Sequence, residues 1–267
     1  MQGARLSVAG AVAAALAVLL AACSSKPIDR TAGWSPNRIH AEAKDELNAG
    51  AYDKAIPLYE TLEGRAAGTT LAQQAQLDKA YALFKDGQKA EAIATLDRFM
   101  RLHPASPAID YALFLKGVIN FNDELGMLSF LARQDLSERD QKAAKEAFES
   151  FNELVTRFPD SRYAPDARAR MRYTINALAQ YEVHVARYYF TRGAYVAAIN
   201  RAQQALADYR DAPSLEEALY ILTQSYDRLG MTELRDDARR VLDRNYPNST
   251  YLTHGLRGAD TPWWQLW

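Results

Sequence analysis

Three copies of one short pattern organise this sequence: Gly50-Ala51-Tyr52-Asp53-Lys54-Ala55-Ile56, Gly193-Ala194-Tyr195-Val196-Ala197-Ala198-Ile199 and, more loosely, Gly87-Gln88-Lys89-Ala90-Glu91-Ala92-Ile93. The glycines recur at a fixed distance, because Gly50 precedes Gly87 by 37 residues and Gly193 precedes Gly230 by 37 residues. Self-similarity at a period of this size is typical of repeat proteins, in which each unit buries its apolar face against its neighbours.

A second recurring element closes each unit. It reads His103-Pro104-Ala105-Ser106, Phe158-Pro159-Asp160-Ser161 and Tyr246-Pro247-Asn248-Ser249. Ala92 lies 12 residues before Pro104, and Ala147 lies 12 residues before Pro159. A small residue midway along each helix, Gly in the turn and Pro after the second helix are the layout of a tetratricopeptide repeat. The pattern therefore predicts an all-α fold, a tetratricopeptide-repeat solenoid of about five helix pairs.

These anchors place ten helices along the chain. First helices are predicted near 37–49, 73–86, 108–122, 164–192 and 214–229, and second helices near 53–63, 88–101, 140–157, 195–208 and 232–245. Two features depart from a regular array. The third pair carries an insertion over about 122–139, and the first helix of the fourth pair is far longer than a repeat needs.

The N-terminus has the pattern of an export signal. After Arg5, the run from Leu6 to Ala22 carries no charge, which fits a signal-peptide core and is short for a membrane-spanning helix. The run ends at Leu20-Ala21-Ala22-Cys23, which resembles the lipobox of bacterial lipoproteins, in which the cysteine sulfur receives a diacylglycerol. We therefore predict lipid attachment at Cys23; the alternative is a chance cysteine after an ordinary signal peptide.

Four segments follow from these patterns: a lipoprotein signal peptide over 1–22, a lipidated flexible tether over 23–34, a repeat domain over 35–254 and a C-terminal tail over 255–267. The location is predicted from Ser24, which stands where an Asp would, by analogy with Gram-negative lipoproteins, favour the inner membrane. We therefore expect a protein anchored through its lipid to the periplasmic face of the outer membrane.

Charge and residue types exclude several classes of function. The chain has 32 Lys and Arg against 33 Asp and Glu, so its charge does not suggest nucleic-acid binding. Its four histidines are spread over different repeats without metal-ligand spacing, and no Gly-x-Ser-x-Gly or phosphate-binding loop occurs. We expect no enzyme activity, no metal and no cofactor apart from the covalent lipid on Cys23. An envelope hydrolase is the rival class, for which the sequence offers no nucleophile.

An aromatic stripe marks the second and third repeats. In a tetratricopeptide array the first helices line a concave groove, and certain motif positions face it. Counted from the anchors, these positions are Leu77, Tyr81, Phe84, Tyr111, Phe114, Val118 and Phe121. Such aromatic residues are typical anchors of peptide-binding surfaces, so the stripe predicts a peptide groove. The alternative is ordinary core packing at helical spacing.

Arginines are concentrated in the fourth repeat and follow its first helix into the second. They are Arg162, Arg168, Arg170, Arg172, Arg187, Arg192 and Arg201. A run of this kind is usually a solvated helix face, although the planar guanidinium also suits protein interfaces. Arg201 is the position that we single out as an interface residue.

The combination of these features resembles one known family. A lipobox, five repeats at this spacing, an insertion in the third and a long helix through Tyr181-Glu182-Val183-His184-Val185-Ala186-Arg187-Tyr188-Tyr189 before Arg192-Gly193-Ala194-Tyr195 are similar to the BamD family of outer-membrane lipoproteins. The resemblance covers nearly the whole chain after the signal peptide.

The resemblance implies a non-enzymatic adaptor of the outer-membrane β-barrel assembly machine. Such an adaptor docks on the periplasmic POTRA domains of the barrel subunit BamA, holds BamC- and BamE-type lipoproteins and recognises the C-termini of unfolded outer-membrane proteins. Because the family contacts BamA through its C-terminal repeats, the implied partner interface comprises Arg187, Arg192, Tyr195 and Arg201. The alternative is another periplasmic tetratricopeptide scaffold, such as a coordinator of cell-wall synthesis with the Tol-Pal system.

Overall fold

The computed structural model describes residues 30–121 and 141–259. The predicted signal peptide, the lipid-acceptor Cys23, the insertion over 122–139 and residues 260–267 of the predicted tail lie outside the described residues. Among the helices in the described ranges, none combines the length and the apolar character needed to cross a membrane.

The two described ranges fold into eleven helices without a strand. They are α1 (Pro36–Asn48), α2 (Tyr52–Arg65), α3 (Thr70–Lys85), α4 (Lys89–Leu102), α5 (Ile109–Asn120), α6 (Gln141–Arg157), α7 (Ala164–Thr191), α8 (Tyr195–Asp208), α9 (Leu215–Arg228), α10 (Thr232–Asn245) and α11 (Tyr251–Ala259). The first ten form five antiparallel pairs, each packed on the next, which confirms the predicted all-α tetratricopeptide solenoid. The sequence patterns did not predict α11.

The glycine turns explain why each first helix ends where it does. At Gly193 the backbone φ is 77°, a left-handed conformation that glycine adopts without the strain of a side chain. The next amide, of Ala194, donates to the carbonyl of Tyr189 at 3.0 Å and so satisfies one of the last free carbonyls of α7. The chain then reverses directly into α8, which packs antiparallel to α7.

Small residues allow the helices of a pair to approach closely. In the third repeat a Cβ atom on Gly117 of α5 would overlap the ring of Phe151 of α6, so only glycine fits at this crossing. Phe151 is fully buried in the core that the second and third repeats share. The same core includes Ala164 and Ala167 at the beginning of α7, whereas Leu178 and Val183 further along α7 belong to the core of the C-terminal repeats. The long helix is therefore common to both cores.

The segment before α1 is part of the folded domain. Thr31 is 5% exposed, and its carbonyl and hydroxyl oxygens accept hydrogen bonds from Arg65 at 2.6 and 2.9 Å. Trp34 packs against the core of the first repeat, and the guanidinium of Arg38 lies 4.3 Å from its ring centroid. Residues 31–34, which the sequence places in a flexible tether, are instead held by α2 and α1.

Candidate peptide-binding cleft

A cleft of about 480 Å³ opens where the second, third and fourth repeats meet. Its walls come from α3, from α5 and from the loop that connects α6 to α7. The residues that line it are Gln74, Leu77, Asp78, Pro107, Ala108, Asp110, Tyr111, Arg162 and Tyr163. The cleft thus combines apolar and aromatic walls with both signs of charge, the composition expected of a site that orients a ligand.

Stacked aromatic rings form one wall of this cleft. The ring of Tyr163 stacks on Phe114, with centroids 4.8 Å apart and planes at 19°, and lies 5.6 Å from the ring of Tyr111. Burial is the main reason that the pKa of Tyr111 rises to about 12, so its hydroxyl stays protonated at neutral pH and can donate a hydrogen bond. The sequence reasoning missed Tyr163, although it directly follows the Pro159-Asp160-Ser161 element that closes the third repeat.

Two carboxylates lie in this cleft in different environments. Asp110 is satisfied internally, because its side chain accepts from the hydroxyl of Ser161 at 2.7 Å and from the amide of Tyr111 at 2.6 Å. Asp78 accepts from Gln74 at 2.8 Å, and its second oxygen lies 3.6 Å from the ring nitrogen of His40. Burial raises the pKa of the Asp78 carboxyl despite these contacts. Because Gln74 donates to only one of its two oxygens, the other can accept a hydrogen bond from a ligand.

The residues of the predicted aromatic groove divide into two groups. Leu77 and Tyr111 line the cleft, although Leu77 is only 2% exposed and belongs mainly to the core. The others are half-buried and pack against the shared core of the second and third repeats; they are Tyr81, Phe84, Phe114, Val118 and Phe121. Phe121, for example, lies between Phe151 and Tyr173, at ring distances of 6.2 and 5.5 Å. The structure therefore places much of the stripe in packing and brings Tyr163 and Arg162 to the cleft.

The residues of the predicted partner interface also fall into two groups, two arginines that are paired with buried glutamates and two residues at the surface. Arg187 makes a two-pronged ion pair with Glu217, at 2.5 Å on each side, and Arg201 lies 3.0 Å from Glu182. Both glutamate side chains are buried, at 6% and 8% exposure, so these two arginines neutralise charges of their own fold.

Arg192 and Tyr195 lie on the surface beside the turn between α7 and α8. The guanidinium of Arg192 lies 4.3 Å from the ring centroid of Tyr188, which is 49% exposed. The hydroxyl of Tyr195 lies 3.5 Å from Arg228 of the next repeat, which links two adjacent turns. Val196 is 60% exposed beside them. Arg192 is therefore exposed without a salt bridge among the described residues, and Arg201 is also exposed although it is paired with Glu182.

A second cleft, of about 400 Å³, lies between α7, α9 and α11. The ion pair of Arg187 and Glu217 forms part of its lining, together with His184, Ser214 and Tyr251. Tyr251, the first residue of α11, donates its hydroxyl to Glu217 at 3.2 Å, and its ring stacks on Tyr220. The ion pair of this cleft is therefore engaged with α11, whereas the buried hydroxyl of Ser214 has no hydrogen-bond partner among the described residues.

The fold defines a helical-repeat protein of the tetratricopeptide type. Comparison with known proteins narrows this class. Residues 33–242 match the family model YfiO, which is described as an outer membrane lipoprotein. The chain belongs to this family.

Two relatives illustrate the range of similarity. Outer membrane protein assembly factor BamD of Neisseria meningitidis serogroup A is 48% identical over 257 residues, which cover 94% of this chain and 96% of the relative. The protein of the same name from Vibrio cholerae is 34% identical over 227 residues, which cover 85% of this chain and 94% of the relative. The family resemblance predicted from the sequence is thereby confirmed, and the predicted non-enzymatic class agrees with it.

Proposed function

We propose that this protein is a lipid-anchored assembly factor of the outer membrane. In this proposal Cys23 carries the lipid, the solenoid lies on the periplasmic face of the outer membrane, and the repeats hold partner proteins and incoming clients. The observation that supports it most is the aromatic cleft of Tyr111 and Tyr163 in a chain of the YfiO family. Its relatives are named outer membrane protein assembly factors, which supports the same role.

The proposed client is the C-terminal segment of an unfolded outer-membrane β-barrel protein. Such a strand alternates apolar and polar side chains, so an apolar wall can accept every second residue without reading a unique sequence. The wall of Leu77, Tyr111 and Tyr163 has this character, and Asp78 can accept a hydrogen bond from the peptide backbone. A cleft of this kind suits a receptor for many related clients.

Filling the cleft tests this part of the proposal. Gln74 is exposed at the rim, so Gln74→Trp should block the cleft without removing an apolar core contact, although it also removes the hydrogen bond from Gln74 to Asp78. We expect binding of a labelled barrel C-terminal peptide, measured by fluorescence anisotropy, to weaken at least tenfold. Ala94→Trp, on an exposed position of α4 that lines neither cleft, is the matched control and should bind normally. Equal binding by both variants would place client recognition elsewhere.

The proposed docking surface for the POTRA domains of BamA is the edge formed by the last two glycine turns. Its exposed apolar residues, Tyr188, Val196, Met231 and Leu234, are 43 to 60% accessible, and Arg192 lies among them. Exposed aromatic and aliphatic side chains beside an arginine are typical of protein interfaces. BamC- and BamE-type lipoproteins are the further partners that the family resemblance implies.

Copurification separates this assignment from the alternative scaffold role. Wild-type protein, isolated from detergent-solubilised membranes, should bring down BamA, and Arg192→Glu should reduce that recovery while the protein stays folded. Recovery of Tol-Pal proteins or cell-wall synthases in place of BamA would favour the cell-wall coordinator.

The lipid anchor is tested in the same preparation. Cys23→Ser should release the protein from the membrane fraction, because stable attachment of this kind needs two or more acyl chains.

A further inference from the structure

We propose that Arg162 binds the main-chain carboxylate at the end of the client peptide, so that the first cleft recognises the terminus of a chain and not an internal segment. This inference rests on the proposed function, because it concerns the ligand of the same cleft. It adds a specificity-determining residue and a direction of binding that the aromatic wall alone does not supply.

Arg162 is held in place by an aromatic ring and not by a salt bridge, although the charge of Asp110 also acts on it. Its guanidinium stacks over the ring of Tyr163, 4.7 Å from the centroid, and donates a hydrogen bond to the hydroxyl of the same residue. Within residues 30–121 and 141–259, no carboxylate forms a salt bridge with it. A guanidinium has five donor N–H groups in a fixed fork, so most of them remain available to a ligand at the cleft rim.

Several other arginines of the third and fourth repeats are already paired with carboxylates. Arg187 and Arg201 are each paired with a buried glutamate, and Arg170 is paired with Asp166 at 3.1 Å. Arg157, at the end of α6, is paired with Glu153. Unlike these four arginines, Arg162 offers a positioned positive charge at the first cleft.

The aromatic wall places the terminal side chain next to this charge. Tyr163, on which Arg162 stacks, faces Tyr111 at 5.6 Å and is backed by Phe114 at 4.8 Å. The aromatic side chain of a peptide's last residue can pack against the wall formed by these rings and Leu77. The main-chain carboxylate of the same residue then reaches the guanidinium of Arg162. Arginine suits this role because its planar fork binds a carboxylate through two parallel hydrogen bonds.

The opposite wall fixes the direction of the peptide. Asp78 is a half-buried carboxylate with one hydrogen bond, from Gln74 to one of its oxygens, and its other oxygen lies 3.6 Å from the ring nitrogen of His40. A carboxylate placed there would be repelled, whereas a backbone N–H would supply a missing hydrogen bond. The terminus therefore lies at Arg162, and the preceding residues of the peptide run toward Asp78 and α3.

A chemical change in the peptide tests this inference directly. Three forms of one peptide with a terminal aromatic residue are compared by fluorescence anisotropy: the free acid, the C-terminal amide, and an amide in which a Glu precedes the aromatic residue. The wild-type protein should bind the free acid about tenfold or more tightly than either amide, because a charge-assisted hydrogen-bonded pair is lost in both.

The variant Arg162→Gln should bind the acid and the plain amide equally well. Arg168→Gln is the matched control, since Arg168 is an exposed arginine nearby whose contact is a hydrogen bond of 3.4 Å to the carbonyl of Pro159; it should keep the wild-type preference. Circular dichroism of both variants checks that the fold is retained.

The outcomes separate this inference from the function on which it rests. Equal binding of acid and amide by the wild type would overturn the role of Arg162 and leave the peptide cleft intact. A preference for the acid that persists in Arg162→Gln would assign the carboxylate to another residue. If the Glu-containing amide binds as tightly as the free acid, a side-chain carboxylate suffices, and recognition of the terminal carboxylate is contradicted. If the wild type binds none of the three, the proposed client function fails, and the inference with it.

Discussion

The two clefts of the solenoid have similar volumes, about 480 and 400 Å³, but they differ in what their arginines contact. In the first cleft Arg162 stacks on an aromatic ring and has no carboxylate partner among the described residues. In the second, Arg187 is bound by the buried Glu217, and Tyr251 of α11 donates to the same carboxylate.

This difference shows that a polar cleft is not by itself a binding site. The charges of the second cleft stabilise the packing of α7, α9 and α11, and a ligand would have to compete with these internal partners. In the first cleft Arg162 forms no salt bridge with a described residue, and Gln74 donates to only one oxygen of Asp78. The proposed ligand site is therefore the cleft whose arginine is not committed to a buried carboxylate. Three substitutions in the clefts test whether they differ in this way, and a fourth, at Arg201, tests another arginine that is paired with a buried glutamate.

Removing Arg187 should have the largest effect. Arg187→Leu would leave Glu217, whose side chain is 6% exposed, as a buried charge with only Tyr251 as a polar partner. Breaking a buried pair from one side costs about 3–5 kcal/mol of unfolding free energy. We expect the Tm, measured by circular dichroism, to fall by roughly 10 °C. The double variant Arg187→Leu/Glu217→Leu should recover much of this loss, and failure to recover would show that packing and not charge is responsible.

Reversing the charge of Arg201 should have the next largest effect. Arg201→Glu would bring a second carboxylate to the place where Arg201 now lies 3.0 Å from Glu182, whose side chain is 8% exposed. We expect a loss of about 1–3 kcal/mol, because a buried charged group loses its partner. Urea unfolding measures it, with Arg201→Lys as the control that keeps the charge. Unchanged stability of Arg201→Glu would return this residue to the set available for a partner protein.

A smaller effect is expected when α11 loses its polar contact with the second cleft. Tyr251→Phe removes the hydroxyl that donates to Glu217 at 3.2 Å but keeps the ring that stacks on Tyr220. We expect a loss of about 1 kcal/mol and faster hydrogen exchange in α11. Tyr195→Phe is the matched control, since its hydroxyl makes only a long surface contact of 3.5 Å with Arg228. Equal effects of the two variants would contradict a specific role for Tyr251.

The smallest effect, and the only stabilising one, is expected in the first cleft. Because burial raises the pKa of Asp78 in the folded protein, ionisation of this group opposes folding at neutral pH, and stability is gained as the pH falls through that pKa. Asp78→Asn removes this cost and should raise the Tm at pH 8 by on the order of 1–2 °C. The difference from wild type should shrink as the pH is lowered toward 4. A lower Tm for the variant at pH 8 would show that the contacts of Asp78 outweigh its burial.

Much of the fold could be predicted because its signals are local. The first helix of the fourth pair is predicted over 164–192, and α7 spans Ala164–Thr191, since a proline element before it and Gly193 after it mark both ends. α11 was not predicted because it follows the last closing element and carries neither the glycine turn nor a second helix. Its position depends on contacts with α9, which are distant in sequence.

The cleft could be predicted only in part, because its walls come from separate repeats. Motif counting predicted Tyr111 as a groove residue, and Tyr111 lines the first cleft, but the count could not show that Phe151 and Tyr173 cover Phe121. Tyr163 lies in a closing loop to which the motif assigns no ligand role. Arg187 and its partner Glu217 are 30 positions apart in the sequence. The sequence alone therefore could not show that this arginine is paired within the fold.

The long helix α7 connects the regions of the two clefts. It has 28 residues, which at 1.5 Å per residue is about 42 Å, and it is built into the cores on both sides of it. The first cleft lies at the residue before its beginning, and the second lies alongside Gln180 to Arg187, about 30 Å further along. The length of α7 therefore sets the distance between the two clefts. A client held at one end and a partner held near the other would keep that spacing while the whole solenoid moves with respect to the membrane.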